Sequence, residues 1–205
     1  MTIKERCREA LTGMYLTNAG LSEEQIQKLR DVGYFEAPAA KKHHLAEPGG
    51  LAIHSTNVTY WILKLSETMD VKWPRPESPY LVGMLHDLVK CFCYRPITGA
   101  GQDKVEYKKV ETKYAGHGLA SCMFAKDLGI ELLPIEFLSI EWHMGAFGLT
   151  AQELKAYDAV LNYKDSTLNL YATHTADMIA SHVDEVYNMD GECKSRFQES
   201  IEVGK

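Results

Sequence analysis

The stretch Tyr80-Leu-Val-Gly-Met-Leu-His-Asp-Leu-Val-Lys90 decides the interpretation of this chain. It is mostly apolar around His86, Asp87 and Lys90, and this pattern predicts a largely buried helix over residues 79–91. A buried charge without a partner is costly, so an adjacent imidazole and carboxylate need something to hold them. A divalent metal ion is the simplest such partner.

Further potential metal ligands occur at intervals along the chain, each in a segment predicted to be helical. In chain order the full set is His54, the doublet His86 and Asp87, His117, His143 and Asp177. His54 recurs with Leu51, Val58, Trp61 and Leu65 at three- and four-residue spacing, so it lies on the core-facing side of its helix. A single histidine is more often a surface or satisfied core residue, but the ordered set predicts metal binding.

The composition is that of one globular domain over residues 1–205. The formal net charge of −6 argues against extensive non-specific binding to nucleic acid, and no stable nucleic-acid complex is expected. The sequence contains no apolar run long enough to span a bilayer and no signal-peptide pattern at Met1, so no membrane association is expected. Five cysteines without a CxxC motif are typical of reduced thiols and favour a cytoplasmic location. The oligomeric state is left open.

The remaining pattern predicts an all-α protein. Helices are expected over residues 2–17, from about residue 21, from about residue 51, and over 79–91, 117–128, 134–143, 150–163 and 166–188. Ser22 with Gln25 and Thr150 with Glu153 have the spacing of capping boxes. A short β-hairpin or an irregular flap is expected around residues 94–114.

A mixed set of imidazoles and carboxylates suits Fe, Mn, Zn, Ni or Co better than Mg or Ca alone. His86 and Asp87 can bind the same ion from two directions, or Asp87 can bridge two ions. With two ions, His54 and Asp177 complete the ligands of the first, and His117 and His143 hold the second. A pair of ions can activate water and neutralise phosphate oxygens, so two divalent ions per chain are expected.

Lys90 follows Asp87 by one helical turn, where its charge can stabilise a transferred phosphoryl group. Asp87 and Lys90 are therefore the predicted catalytic residues. His174 shares a polar helix face with Asp177. It can form a hydrogen bond with a metal ligand, on the side away from the ion, and so orient that ligand. Four lysines between the doublet and His117 form either a solvated hairpin face or a basic lip for phosphate. They are Lys104, Lys108, Lys109 and Lys113. The predicted substrate-binding residues are Lys90, His44, Lys108 and His174.

Several segments resemble the HD-domain superfamily of metal-dependent phosphohydrolases. Leu85-His-Asp-Leu-Val-Lys90 is similar to the family's His-Asp-x-x-Lys signature. His43-His-Leu-Ala-Glu-Pro-Gly-Gly-Leu-Ala-Ile-His54 resembles the approach to its first histidine. His174-Thr-Ala-Asp-Met-Ile-Ala-Ser181 is similar to its closing His-x-x-Asp-x-x-x-Ser. The resemblance covers about residues 43–184.

Two further segments resemble members with a two-metal centre. Gly116-His-Gly118 resembles their additional histidine, and Glu141-Trp-His-Met-Gly145 resembles their Trp-His-His-Gly segment. Met144 stands where a second histidine often lies, which argues against the cyclic-di-GMP phosphodiesterase subgroup.

The resemblance implies an HD-domain helical bundle that hydrolyses a nucleotide or another small phosphate mono- or diester through a metal-activated water. One alternative is a mixed-valence diiron oxygenase of the same fold that acts on a small polar substrate. A second alternative is an HD fold kept as a signalling or interaction module. Such a module would usually have lost metal ligands, and all six positions are filled here.

Overall fold

The computed structural model describes residues 3–42, 44–97, 105–162 and 167–185, with side chains from residue 10 onwards. This part of the chain is mostly helical, as predicted. Its helices are α1 (Ile3–Asn18), α2 (Glu23–Asp31), α3 (Gly50–Met69), α4 (Ser78–Leu85), α5 (Lys90–Cys93), α6 (His117–Asp127), α7 (Pro134–Glu141), α8 (Ala151–Leu161) and α9 (Thr167–Ile179). A π-helical turn, Ala180–Asp184, continues α9. Within the described residues, no helix has the length and apolar character that crossing a membrane requires.

Two helix starts follow directly from local side-chain chemistry. At α2 the Ser22 hydroxyl accepts a hydrogen bond from the Gln25 amide, and the Gln25 side chain accepts one from the Ser22 amide. Thr150 and Glu153 make the same reciprocal pair at α8. Each pair satisfies two amides that a helix start otherwise leaves without partners. Both predicted capping boxes are confirmed.

Helix α3 lies at the centre of the fold and packs against α1, α4 and α9. Its apolar side is fully buried at Leu51, Val58 and Ile62. The contact with α4 is very close at Gly83, where an added Cβ would come within 2.7 Å of the Thr59 Cα. Only glycine allows this approach, and it brings the end of α4 against the face of α3 that carries His54.

The predicted continuous helix over residues 79–91 is wrong in one respect, because it is interrupted at the doublet. Helix α4 ends at Leu85, and α5 begins only at Lys90. The His86 amide still bonds four residues back to Val82, whereas the next amides bond three residues back, from Leu88 to Leu85 and from Lys90 to Asp87. These tighter turns replace the regular helix at Asp87, so neither doublet residue lies inside a helix.

One other ligand position, and the end of the last helix, also differ from the prediction. Helix α7 ends at Glu141, so His143 lies in the turn that follows it. The last predicted helix changes to π-helical hydrogen bonding after Ile179, and its expected ends at 166 and 186–188 lie outside the described residues. Residue 2 and Lys104 also lie outside them.

The predicted hairpin is present. β1 (Tyr94–Ile97) pairs antiparallel with β2 (Glu106–Lys109), with Tyr94 opposite Lys109. The hairpin directly follows α5, so it extends from the segment that carries the doublet and Lys90.

Candidate metal centre

The structure brings all six predicted ligands together around Asp87. His54 comes from the second turn of α3, the doublet from the turn after α4, and Asp177 from α9. His117 is the first residue of α6, and His143 follows α7. Three of the imidazoles, those of His54, His86 and His143, are completely buried.

The first group of ligand atoms surrounds Oδ2 of Asp87. His54 Nε2 lies 3.3 Å from this oxygen, 3.2 Å from His86 Nε2 and 3.2 Å from Asp177 Oδ1. His86 Nε2 lies 3.4 Å from Asp87 Oδ2 and 4.0 Å from Asp177 Oδ1. Ligands of a tetrahedral ion with bonds of about 2.0–2.2 Å lie roughly 3.3–3.6 Å apart. The spacing therefore suits a transition-metal ion.

The second group surrounds the other oxygen of the same carboxylate. His117 Nε2 contacts Asp87 Oδ1 directly, and His143 Nε2 lies 3.6 Å from it. The two oxygens of Asp87 thus face different histidines. This is the arrangement that a bridging carboxylate needs.

Hydrogen bonds on the far side of two rings orient their ligand nitrogens. His86 Nδ1 lies 2.8 Å from the Gly83 carbonyl, and His143 Nδ1 lies 2.7 Å from the Ile140 carbonyl. Since a carbonyl only accepts, each Nδ1 carries the hydrogen and each Nε2 presents a lone pair to the centre.

The ligand side chains of the centre supply fewer hydrogen-bond donors than their acceptor atoms require. Among the described atoms, the buried Nε2 of His143 has no hydrogen-bond partner, and it lies 3.6 Å from the carboxylate oxygen Oδ1 of Asp87. The lone pair of His86 Nε2 faces His54 Nε2 and two carboxylates. A cation removes this conflict, so the residues fit a bound metal ion.

The charge balance leads to the same conclusion. Among the described residues, the centre holds three buried or nearly buried carboxylates, of Asp87, Asp177 and Glu185, and one ammonium group, that of Lys90. One divalent ion would neutralise this set. A second would leave it positive and favourable to an anionic substrate.

Neighbouring charges keep the key carboxylates ionised. Burial alone would raise the pKa of Asp87, but the Lys90 ammonium and the surrounding imidazoles hold it well below its usual value. Burial also acts to lower the pKa of His54, yet the Glu185 and Asp177 carboxylates raise it well above the ordinary value. The centre therefore attracts positive charge strongly.

Glu185 is a residue that the sequence analysis missed. Its carboxylate is fully buried, lies 3.0 Å from His54 Nδ1, and accepts a hydrogen bond from Asn57 Nδ2 at 2.9 Å. The π-helical turn brings it to α3, while the preceding Asp184 accepts a hydrogen bond from Trp61 Nε1. The usable signal was the spacing of Asp177 and Glu185, two turns apart on one predicted helix face.

The predicted substrate-binding residues have different surroundings. Lys90 contacts Asp87 Oδ2, and its side chain is only 10% exposed. The ring of His44 lies 5.2 Å from that of His54, and its side chain is 21% exposed. His174 does not touch the ligand rings in the described contacts. Its Nδ1 donates to the His143 carbonyl at 2.8 Å and so supports the turn that carries His143.

The described lysines of the predicted basic lip, Lys108, Lys109 and Lys113, are exposed. Lys108 is exposed on β2, opposite Arg95, and makes no described contact with the six ligands. Lys113 pairs with Asp127 at 3.0 Å and lies over the Tyr114 ring. The described contacts thus place Lys108 on a solvated face.

Comparison of the chain with protein-family models, with curated proteins and with solved structures gives no significant match. The arrangement and chemistry of the ligands therefore carry the functional interpretation.

Proposed function

We propose that this protein is a metal-dependent phosphohydrolase of the HD-domain type, acting on a nucleotide or another small phosphate ester. The observation that carries the proposal is the shared carboxylate of Asp87. Its Oδ2 faces His54 and His86, while its Oδ1 faces His117 and His143. A carboxylate between two sets of imidazoles supports a pair of ions, and paired ions serve phosphoryl transfer in many hydrolases.

The chain offers ligands for each ion. His54, His86, Asp87 and Asp177 would hold one, and Asp87, His117 and His143 would hold a second. The mixed nitrogen and oxygen ligands favour Fe, Mn, Zn, Ni or Co. Divalent ions supply two kinds of chemistry when bound, since they lower the pKa of water to about 7 and neutralise phosphate oxygens.

Exposure indicates the side from which a substrate reaches the centre. The side chain of His117 is 33% exposed and that of Asp177 is 14% exposed, whereas His54, His86 and His143 are fully buried. A phosphate group would therefore arrive past His117 and Asp177.

Lys90 is the residue of the chain that we assign to the phosphoryl oxygens. Its pKa is raised because the adjacent Asp87 carboxylate outweighs the effect of burial, so the group stays charged. The contact with Asp87 and the low exposure also fix its position. A fixed charge stabilises the negative charge that develops on the phosphoryl group without rearrangement during the reaction.

The donor set also fits iron, so a diiron oxygenase is the competing reaction class for the same centre. An interaction module is less well supported, because the structure brings all six ligands together and leaves His143 Nε2 without a hydrogen-bond partner in the described residues. A single set of assays separates these functions.

The test begins with protein purified without chelators, whose metal content per chain is measured. The metal-free protein is then loaded separately with Mn, Fe(II), Co, Ni or Zn and assayed for phosphate release from nucleotides and simple phosphate mono- and diesters. We expect metal-dependent release by at least one loaded form. Oxygen consumption by the iron form, with no ester cleaved under any metal, would assign the oxygenase reaction instead.

A further inference from the structure

We propose that Glu185 is a positioning residue, which holds His54 in the orientation and tautomer of an Nε2 metal ligand. This inference deepens the proposed function and rests on its metal centre. It does not depend on which reaction that centre performs.

The geometry singles out His54 among the buried histidines. Both oxygens of Glu185 lie close to His54 Nδ1, Oε2 at 3.0 Å and Oε1 at 3.1 Å. His86 and His143 direct their Nδ1 to neutral backbone carbonyls instead. A carboxylate behind an imidazole fixes which nitrogen bears the hydrogen and makes the other nitrogen a stronger ligand. The Nε2 of His54 faces both Asp87 and Asp177, so it is the ligand that joins α3 to the rest of the centre.

The surrounding structure is built to hold Glu185 in place. Its amide donates to the Ala180 carbonyl at 3.0 Å, the five-residue spacing of a π-helical turn. Its Oε1 accepts a hydrogen bond from Asn57 Nδ2, one turn after His54 on α3. π-Helical turns are frequently found at functional sites. The wider turn displaces the residue that follows it. Here that residue is the carboxylate behind His54.

Glu185 could also act as a ligand itself. His44, His54 and Glu185 place nitrogen and oxygen atoms within 4.8 Å of one another. An ion at that position would replace the hydrogen bond from His54 Nδ1 to Glu185, which already has good geometry. It would also need His54 to bind an ion through each ring nitrogen. The positioning role requires neither change, and the experiment separates the two.

The experiment compares Glu185→Gln and Glu185→Ala with a matched control, Glu136→Gln. Glu136 is an equally buried glutamate that is held by Arg75 and Ser78 and makes no described contact with the six ligands. The dissociation constants of Zn²⁺ and Co²⁺ are measured by competition with a chromophoric chelator, together with the visible spectrum of bound Co²⁺. Melting of the metal-free proteins reports the folded fraction.

We expect both Glu185 variants to bind Zn²⁺ about 10–100-fold more weakly than the wild type, with the alanine variant weaker than the glutamine variant. The Co²⁺ spectrum should change, because the His54 ring is no longer fixed. The control should lose thermal stability and keep the wild-type dissociation constant. Metal binding is thereby separated from general destabilisation.

Three results would overturn the inference. Wild-type affinity in both Glu185 variants, with lowered melting temperature alone, would show a purely structural role. Loss of one whole ion per chain at saturating metal would make Glu185 a ligand. Failure of the wild type to bind divalent metal would remove the centre itself. If the affinities change as expected and no phosphate ester is cleaved, the hydrolase proposal fails and the role of Glu185 stands.

Discussion

Two buried carboxylates, Glu136 and Asp87, have opposite surroundings. Glu136 is fully buried and has a donor at every position, all supplied by the chain. Arg75 donates twice, at 2.7 and 2.8 Å, and Ser78 Oγ and the Leu133 amide each donate at 2.7 Å. Its charge and hydrogen bonds are satisfied locally. These hydrogen bonds from Arg75 and Ser78 to Glu136 can hold α7 against the start of α4 without any ligand.

Asp87 lies instead among imidazoles from several segments, and those of His86 and His143 turn an Nε2 lone pair towards it. Nitrogens of His54, His86 and His143 lie 3.3–3.6 Å from its oxygens, His117 Nε2 contacts Oδ1 directly, and Lys90 provides the one ammonium group among its described contacts. This difference distinguishes a carboxylate that stabilises the fold from a carboxylate that binds a ligand. A buried carboxylate with its own donors stabilises the fold, while one that is short of donors needs a cation from outside.

Replacing the carboxylate in each region should produce the largest contrast. Asp87→Asn removes the charge that both groups of imidazoles share, and we expect bound metal to be lost and turnover of the best phosphate ester to fall at least about 10³-fold. This follows because metal ions contribute several kcal/mol to such reactions. Metal analysis and phosphate release measure the two effects.

Glu136→Gln is the matched control for that variant. It should retain metal and turnover but lose about 1.5–3 kcal/mol of stability, since a charge-assisted hydrogen-bond network is weakened. Denaturant titration measures this loss. Full activity in Asp87→Asn, or loss of metal in Glu136→Gln, would break the distinction between the two acids.

Lys90→Met tests whether the one ammonium group at Asp87 serves the reaction. The substitution keeps the bulk and removes the charge, so we expect turnover to fall about 10²–10³-fold, the usual effect of losing one preorganised group. Metal content should remain. Lys64→Met, at an exposed position on α3, is the control and should behave as the wild type. Unchanged turnover in Lys90→Met would leave this lysine only a structural partner of Asp87.

Part of the fold and of the metal centre could be predicted from the sequence. The three- and four-residue spacing of apolar residues around His54 correctly indicated that its side chain is buried. The capping boxes at Ser22 and Thr150 correctly predicted where two helices begin. These features were accessible because they depend on residues within one or two helical turns.

The rest depends on contacts between distant segments. The turn at Asp87 departs from the helix that its apolar neighbours favour, and the side chain there faces residues from α3, from α6 and from the turn after α7. Glu185 lies 131 residues from His54, and only the π-helical turn brings them together. Three of the four hydrogen bonds that Glu136 accepts likewise come from Arg75 and Ser78, which lie 61 and 58 residues away along the chain. Periodicity can place Asp177 and Glu185 on one helix face, but it does not give the residues of other segments that they contact.

Two glycines that follow His143 in the chain, Gly145 and Gly148, test how strongly His174 fixes the position of His143. Gly145 has φ +61°, and an added Cβ would lie 2.9 Å from the His174 ring, which supports the His143 carbonyl. Gly148 has φ +73°, with no described atom within 4 Å of its added Cβ. In both alanine variants, the left-handed backbone conformation at the substituted residue costs about 1–2 kcal/mol of stability. Gly145→Ala should lose about 1–3 kcal/mol more through overpacking.

Thermal melting and metal analysis of the two variants give the comparison. The additional loss should lower the melting temperature of Gly145→Ala by about 2–4 °C per kcal/mol relative to Gly148→Ala. The Gly145 variant should also bind its second equivalent of metal more weakly, because His174 is displaced from the His143 carbonyl. Equal behaviour of the two variants would show that His174 contributes nothing to the position of His143.

The smallest effect should come from Lys108, the predicted substrate-binding residue that the structure leaves on the exposed face of β2. A charge at such a position attracts an anionic substrate through solvent, and exposed ion pairs are worth about 0.2–1 kcal/mol. Lys108→Met should therefore raise KM about two- to fivefold at low salt, with kcat unchanged, and the difference should shrink as added salt screens the charge. Steady-state kinetics at two ionic strengths measure both quantities. A loss of kcat, or a KM effect that persists in high salt, would place Lys108 in direct contact with the substrate and extend the centre from Asp87 to the hairpin.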